Sequence, residues 1–507
     1  MNKVTLVYIT FFVFFLNSFR FHAQTQQKET QPLASILKII ESQYEITFSF
    51  ADENIRGKQL HAPPNNLSLS EVLWYIEEQT DLEFTYLSDS SIVIRLNSQN
   101  DSMSMQLLEE VTVSNYLTRG ITLKTNGTTQ IKPQGFGILP GLIEPDVLQT
   151  IQALPAIQSS DERISNLNVR GGTNDQNLIL WDGIKMYQSG HFFGLISAFN
   201  PYLTKDVIVS KNGSSAAYGD GVSSVIDMRS SNQIEFNDNA GIGVNLVNAD
   251  AFYKGDINAK MGLQISARRS LTDLFTTPTY DEYFKRIFQD TDLTNSNTIS
   301  QNEQFYFYDV SAKFLYDISE KDNIRVNALN IYNDLNYDEE STTNDVDEIL
   351  NSKLTQRNLA LGITYNRIWS DKVTTSAQLS LSNYDLDATN FDVNSNQRLI
   401  QENKVLDTGF KLHLTFKPDE TINYFGGYQF SEVGVSNLED VNNPVFRRLA
   451  KEVIRTHSIF NEIGFSSKSK KTNARIGLRT NYIEKFSEIY FEPRISFSQR
   501  FLSNVRI

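Results

Sequence analysis

From about Gly241 onward the chain is patterned with a period of two. In Val373-Thr374-Thr375-Ser376-Ala377-Gln378-Leu379-Ser380-Leu381-Ser382 the odd positions are apolar or threonine and the even ones are polar. Phe410–Phe416, Leu359–Tyr365, Val310–Ile318 and Ala474–Tyr482 follow the same rule. Successive side chains of a strand point to opposite faces, so each run predicts a strand with one apolar and one polar face. Short turns at Ser319–Asn323, Ser370–Lys372 and Pro418–Glu420 alternate with long polar gaps at Thr276–Gln304, Asp334–Lys353, Leu386–Gln401 and Ser431–Lys451. Transmembrane antiparallel barrels have this rhythm, with short turns on one side of the bilayer and long loops on the other. Parity then requires Ile257–Arg269 to run outward, the strand before Gly255 to run inward, and a first outward strand at Gly241–Val247, with a tight hairpin near Asn248–Asp250. This makes about twelve strands by Arg500.

The period is different nearer the start. Ile40-Glu41-Ser42-Gln43-Tyr44-Glu45-Ile46-Thr47-Phe48-Ser49-Phe50 aligns with Ile76-Glu77-Glu78-Gln79-Thr80-Asp81-Leu82-Glu83-Phe84-Thr85-Tyr86, an offset of 36 residues. Each copy reads as a helix followed by a strand. Leu33, Ile36, Leu37 and Ile40 share one helical face, as do Val72, Leu73 and Ile76. Ser68 and Glu71 have the spacing of a capping box. Two copies are too few for a solenoid, so residues 32–96 predict a small two-helix domain with Ser91–Leu96 as its last strand. Before it, Lys3 and the apolar run Val4–Leu16 have the form of a secretory signal peptide ending near residue 23, too short to span a bilayer. After it, polar residues lead to Leu107-Leu108-Glu109-Glu110-Val111-Thr112-Val113-Ser114, a short extended segment within a linker over 97–115, suited to adding a strand to a partner's sheet.

Gly141–Arg229 reads as a compact, glycine-rich α/β unit. Pro145 and Asp146 open a helix that carries Leu148 and Ile151 and stops at Pro155. Leu178–Trp181 is an apolar strand, Asp182-Gly183 a two-residue turn and Ile184–Tyr187 the returning strand. Val207–Ser210 and Ser224–Met228 follow as strands, with a turn at Lys211-Asn212-Gly213.

These residues carry a resemblance. Leu139-Pro140-Gly141, Arg170-Gly171-Gly172, the Trp181-Asp182-Gly183 turn, Tyr218-Gly219 and Ile226-Asp227 stand in the order found in the plug domain of TonB-dependent outer-membrane receptors. The duplicated segment resembles the short N-terminal domain shared by secretins and transducing members of that family. The resemblance implies a mainly β protein with two small α/β domains: a periplasmic βαβ-type N-terminal domain, an α/β plug over 116–232, and over 233–507 the first strands of a transmembrane β-barrel. Family barrels have about 22 strands, so the resemblance also implies an incomplete barrel, open along its Ile489–Arg500 edge. Glu109, Glu110, Val111, Thr112 and Val113 fall where the family carries its TonB box. Arg170, Gly171, Gly172, Asp182, Gly183, Tyr218 and Gly219 become plug-signature residues; Arg170 either faces barrel carboxylates or merely shapes its turn. His191, Phe192 and Phe193 form a plug loop that either packs or faces a ligand. The implied function is energised uptake of a scarce nutrient such as a ferric siderophore, with signalling through the N-terminal domain. The implied partners are the TonB-ExbB-ExbD complex, a FecR-like anti-sigma factor, outer-membrane lipid and a nutrient ligand. A surface signal transducer without transport and a secretin-type export component are the alternatives; the latter would need ring-building domains where the plug signature stands.

Composition narrows this further. Aromatic residues are 11% of the chain, with 33 Phe and 22 Tyr, which suits strands whose aromatic girdles meet a membrane interface. A net charge of −14 without a basic cluster argues against nucleic acid. The absence of cysteine excludes disulfides, thiolate metal sites and a lipid-anchored cysteine. The five histidines, His22, His61, His191, His413 and His457, show no metal-ligand spacing, and neither a phosphate-binding loop nor a nucleophile elbow occurs, so no cofactor and no enzyme chemistry is expected. The acidic run Asp338–Glu348 reads as a solvated outer loop.

Overall fold

The computed structural model describes residues 30–96 and 120–506 apart from 45, 51–54, 56, 64–68, 81, 89–90, 136–141, 143, 160–162, 212, 235–238, 289–297, 342–348, 393–396 and 503–504. The signal-peptide run, Ser68 of the capping box and the Glu109–Val113 segment lie outside the described residues. The chain divides into two units, residues 1–105 and 106–507.

In the first unit, helices Leu33–Tyr44 and Leu69–Gln79 pack with a three-stranded sheet ordered Thr47–Ser49, Ser91–Leu96, Leu82–Ser88. A second, two-stranded sheet pairs Thr30–Pro32 with Gln59–His61. The apolar helix faces do what their spacing predicts: Leu33, Ile36, Leu37, Ile40, Val72, Leu73 and Ile76 are all buried in one core with Ile92 and Ile94. The duplication persists in the hydrogen bonding. The Phe48 N–H donates to Glu41 Oε1 at 2.7 Å, and the Phe84 N–H donates to Glu77 Oε1 at 2.9 Å. In each copy the helix carboxylate thus holds the start of the strand that follows. The two equivalent phenyl rings meet edge to face at 5.8 Å between centroids.

The second unit is an α/β domain set against one face of a large sheet. The inner domain's six-stranded sheet runs Ile184–Lys185, Asn177–Trp181, Ser224–Ser230, Thr204–Lys211, Thr129–Ile131, Ile121–Leu123. Asn177–Trp181 and Ser224–Ser230 are parallel neighbours, as a crossover connection requires. The helix expected from Pro145 to Pro155 is shorter, Gln149–Gln152. The Asp146 carboxylate caps the start of this segment by accepting the backbone N–H groups of Leu148 and Gln149, and it also accepts the Ser197 N–H, tying the segment to its neighbour.

The outer sheet, the wall, has thirteen strands in unbroken sequence order, all antiparallel, from Asn239–Val244 to Glu488–Leu502 and the two-residue Val505–Arg506. The first strand begins at Asn239, two residues before the expected Gly241, and its hairpin lies at 245–247. The expected single strand Ile257–Arg269 is instead broken by a turn after Asn258, giving Asn248–Asn258 and Met261–Ser270. Most of the polar gaps read as outer loops are ladder: Asp322–Ser341 pairs with Ile349–Ser370, and Ile422–Asn442 pairs with Val445–Ser466 through to Asn442–Val445. Ladder bonds need only backbone groups, so the strands continue into water after the alternation that marks their membrane part has ended. The gap Thr276–Gln304 holds a helix, Pro278–Phe288, and the start of a strand, and the acidic run of the expected outer loop is strand up to Ser341. Among the described residues, no pairing joins Asn239–Val244 to the last strands, and Val505–Arg506 covers a small part of the edge expected to be bare.

The wall is apolar outside and polar inside. Leu361, Ile363, Leu379, Ile459, Ile463, Ile476, Ile495 and Phe497 are exposed, whereas Asp309, Lys313, Asn333, Asn358, Ser382, Ser458, Glu462 and Arg479 are buried toward the inner domain. On the outward face Tyr308 and Tyr332 stack at 5.1 Å and Arg357 stands opposite Tyr332. Lower on that strand the Arg367 guanidinium lies over Trp369. Arg357 and Arg367 are ten residues apart, and a strand crosses a bilayer in about 9–11 residues. An apolar band bounded by aromatic and arginine side chains is how a strand meets lipid between two aqueous interfaces. No described helix is long and apolar enough to cross a membrane.

Residues 30–96, expressed alone, are expected to unfold cooperatively in urea. Glu41→Ala and Glu77→Ala should each cost about 1–2 kcal/mol, and by similar amounts, since each leaves an equivalent strand N–H without its carboxylate. A disordered amide spectrum for the segment would refute the autonomous domain, and unequal losses would refute the equivalence of its halves.

Candidate functional site

The chemistry of the second unit is concentrated where the inner domain meets the wall. The Asp182-Gly183 turn is built as expected, both residues having positive φ (47° and 80°) between the paired Trp181 and Ile184. Its carboxylate accepts the Ser230 N–H at 3.0 Å and the Ser230 hydroxyl, and its Oδ2 lies 3.4 Å from Lys313 Nζ of the wall. Lys313 and Asp182 are only 3% and 6% exposed. Gln378 of the wall donates to the Asp182 carbonyl at 2.9 Å. A Cβ on Gly183 would come within 2.8 Å of that glutamine, so glycine serves both the turn and the close approach of the wall.

Arg170-Gly171-Gly172 forms a tight turn. Arg170 and Gly171 have φ of 51° and 81°, and the Gly172 N–H donates to the Val169 carbonyl at 3.0 Å. Arg170 is exposed. A Cβ on Gly172 would lie 1.7 Å from Ser223 Oγ, which accounts for a glycine there on packing alone. Wall cations also act on carboxylates of the inner domain, Lys313 on Asp182 and Arg268 on Glu144.

Tyr218 lies in a buried cluster: its hydroxyl donates to Asp227 Oδ2 at 3.0 Å, and Arg229 pairs with the same oxygen at 2.6 Å. Burial first, then the Asp227 charge, pushes the Tyr218 phenol well above its ordinary range, so it stays a donor. Beside it, wall cations reach the inner domain's backbone. Lys411 Nζ donates to the Ala217 carbonyl at 2.9 Å and Arg479 Nη1 to the Ala216 carbonyl at 3.5 Å. Arg494 and Arg475 bond the carbonyls of Ser215 and Gly213, and the Ala216 N–H donates to Glu462 at 2.9 Å.

The His191 loop is packed. His191 is fully buried, with Nε2 3.1 Å from Asp309 Oδ2, Nδ1 2.6 Å from Asn333 Oδ1, and its ring stacked on Phe307 at 4.2 Å. Phe192 is enclosed by Phe305, Phe307, Tyr280 and Tyr283. His191 and Phe192 of this loop are packed against the wall, and Phe193 is half-buried. Burial holds the His191 imidazole below its ordinary value, against the pull of Asp309. Asp309 also takes Arg268 Nε at 2.7 Å, and Arg268 Nη1 reaches Glu144 at 2.9 Å. Burial raises the Glu144 carboxyl, with Arg268 opposing. Glu144, Arg268, Asp309, Lys313 and Lys411 were not singled out from the sequence. Their signal was available: an ionisable residue at a polar-parity position of a membrane-type strand, such as Lys313 or Lys411, must face the lumen and meet something there.

A cavity of about 700 Å³ lies between the Gly183–Lys185 and Ala217–Asp220 turns and the wall strands from Val373 to Leu502. Lys185 and Asp220 pair across its inner-domain side at 2.9 Å. Tyr187 donates to Asp407 of the wall at 2.8 Å nearby. Among the described residues no group of histidine and carboxylate side chains is arranged to hold a metal ion.

This geometry is an α/β domain hydrogen-bonded inside a membrane-type wall, and the family models bear on it directly. The one for the TonB-dependent receptor plug domain matches residues 144–225. Those residues are a TonB-dependent receptor plug. The segment whose duplication marks the N-terminal domain matches the family described as FecR, C-terminal, over residues 29–94. No curated protein matches the sequence. Among solved structures, a mutant of the ferric enterobactin receptor PfeA of Pseudomonas aeruginosa is similar with a TM-score of 0.52 at 13% identity, over 74% of this chain and 60% of that one. FpvA of the same organism, solved with a heterologous pyoverdine, gives 0.52 at 13% over 93% and 68%. The outer membrane transporter YddB of Escherichia coli gives 0.52 at 11% over 78% and 61%. At these identities the likeness establishes the fold. The chain spans about 60% of the length of the first of these receptors.

Two outcomes follow for the plug. Asp182→Ala should destabilise it by about 3–5 kcal/mol, because it leaves the buried Lys313 ammonium without its carboxylate; limited proteolysis of the plug in detergent reads this. The lowered His191 value means that the unfolded plug binds a proton first, so the stability His191 contributes is present above its unfolded value of about 6.5 and is lost as pH falls below it. Glu144, raised by burial, acts with the opposite sign. The comparison is therefore between unmodified protein and His191→Asn: the unmodified chain should lose more melting temperature between neutral and mildly acidic pH, and equal losses would refute the assignment.

Proposed function

We propose that this chain belongs to an outer-membrane receptor that takes up a scarce nutrient, with energy delivered by a TonB-ExbB-ExbD complex. The observation that carries this reading is the way the plug is held. Its seam with the wall consists largely of hydrogen bonds and ion pairs, from Glu144–Arg268 through Asp182–Lys313 to the carbonyls of Gly213–Ala217. Water can replace the hydrogen bonds to the Gly213–Ala217 carbonyls at modest net cost, about 0.5–1.5 kcal/mol each, so a pulled plug can part from that stretch of the wall bond by bond. Glu109–Val113 precedes the plug and is the segment through which TonB would pull, by strand addition. A ferric siderophore is the ligand class consistent with the ferric enterobactin and pyoverdine receptors of similar fold. The N-terminal unit, with its match to FecR, would sit in the periplasm and signal to a FecR-like anti-sigma factor.

Val111→Pro tests this in cells carrying the receptor. Proline removes a backbone donor and opposes strand pairing, so energised uptake is expected to fall to background while ligand binding at the surface is retained. Uptake at the unmodified rate would sink the assignment of Glu109–Val113.

A further inference from the structure

The cavity beside the plug is lined by charges of both signs, and their pairing sorts them. Asp220 is held by Lys185 at 2.9 Å, Glu492 by Arg494 at 2.7 Å and Asp407 by the Tyr187 hydroxyl at 2.8 Å. Two lining cations have no carboxylate in contact among the described residues. Arg479, 4% exposed, bonds neutral acceptors: Asn481 at 2.9 Å, Ser458 at 2.8 Å, Gln429 at 3.2 Å and the Ala216 carbonyl. Lys411 makes one hydrogen bond, to the Ala217 carbonyl, and its ammonium otherwise lies over the rings of Tyr218 and Phe460, 5.4 Å from each centroid. The two cations therefore converge on consecutive plug carbonyls, and Lys411 keeps donors unused beside a space large enough for a small organic molecule.

We propose that this cavity is an anion-binding site, taking a solute with carboxylate or phosphate oxygens that Lys411 grips directly and Arg479 attracts by its charge. A cation enclosed without a counter-ion loses hydration that neutral carbonyls and aromatic faces replace incompletely, and an incoming oxyanion restores it through charge-assisted hydrogen bonds. Tyr218, Val433 and Ile454 supply apolar surface for the body of the same solute. Gly219 makes room for this arrangement, since a Cβ there would lie 3.0 Å from Arg479 Nη2. The proposal rests on the receptor reading and narrows it to anionic cargo at this station of the lumen.

The test uses the full chain in detergent and two dyes that share a xanthene body, carboxyfluorescein as the anion and the methyl ester rhodamine 123 as the cation, followed by fluorescence anisotropy. Carboxyfluorescein is expected to bind saturably and about tenfold or more tighter than rhodamine 123, with affinity falling as salt rises. Lys411→Gln should abolish that preference and Lys411→Arg should keep it. Equal or reversed affinities for the two dyes on the unmodified protein would overturn the proposal, whether or not a variant folds. No saturable binding of carboxyfluorescein, or binding unchanged in Lys411→Gln, would overturn it as well. The measurement needs no TonB, so its failure would leave the uptake result with Val111→Pro untouched.

Discussion

A strand in hydrocarbon must have every backbone group paired and its outward side chains apolar, and the second unit is organised around that constraint. Pairing is supplied by the ladder; the side chains then divide by parity, Leu361 and Ile363 outward and Ala360 and Asn358 inward. Once the outer face is committed to lipid, charged and amide side chains of membrane-depth strands can stand only on the inner face. A domain lodged there cannot be held chiefly by an oily interface. Polar ties hold it: Lys313 and Arg268 donate to the Asp182 and Glu144 carboxylates, Lys411 donates to the Ala217 carbonyl, and Asn358 accepts the Gln188 N–H.

The plug is fitted to this polar lining at its turns rather than through its sheet. Its core, with Val207, Val209, Ile226 and Met228, is buried within the domain, although Leu329, Ile331 and Ala360 of the wall join it at one place. The turns that meet the wall are those where the backbone is most exposed to it. Asp182-Gly183 receives Gln378 and Lys313, and Gly213–Gly219 receives Arg475, Arg494, Lys411 and Arg479. Turn carbonyls have no ladder partner, so they are available to wall donors, and this is why glycine-rich turns and wall arginines occur together.

How much of this could be read in the sequence follows from which forces leave a local trace. Parity is local, so the strands around Val373–Ser382 and Phe410–Phe416 were legible, as were the helix faces of Leu33–Ile40 and Val72–Ile76. The turn at Asp182-Gly183 was legible because positive φ at two positions restricts residue choice. Strand ends were not, since above the membrane a ladder tolerates polar side chains on both faces, and Asn442–Val445 closes a hairpin inside what reads as a loop. The tie from the Asp146 carboxylate to the Ser197 N–H was hidden because its partner lies 51 residues away. His191 was visible as an isolated histidine in an aromatic loop, but its partners Asp309 and Asn333 come from strands more than a hundred residues later. Such pairings leave no periodicity.

The seam is not uniform, and the difference bears on how it parts. Around Phe192 the plug is embedded among Phe305, Phe307, Tyr280 and Tyr283, and that contact is apolar and dry. From Gly213 to Gly219 it is mostly a row of wall donors on backbone carbonyls beside a cavity, with only the small side chains of Ala216 and Ala217 packed on Phe425 and Phe460. Water entering the second region can take over each broken bond, and a cavity already there gives it access. Water entering the first region would find aromatic faces and no polar groups to satisfy apart from His191 and its partners, so separation there must expose the whole cluster at once. A force applied to the plug therefore meets a graded resistance along the carbonyl row and a single larger one at the aromatic loop, and the side lined by Lys411 and Arg479 is the one that yields first.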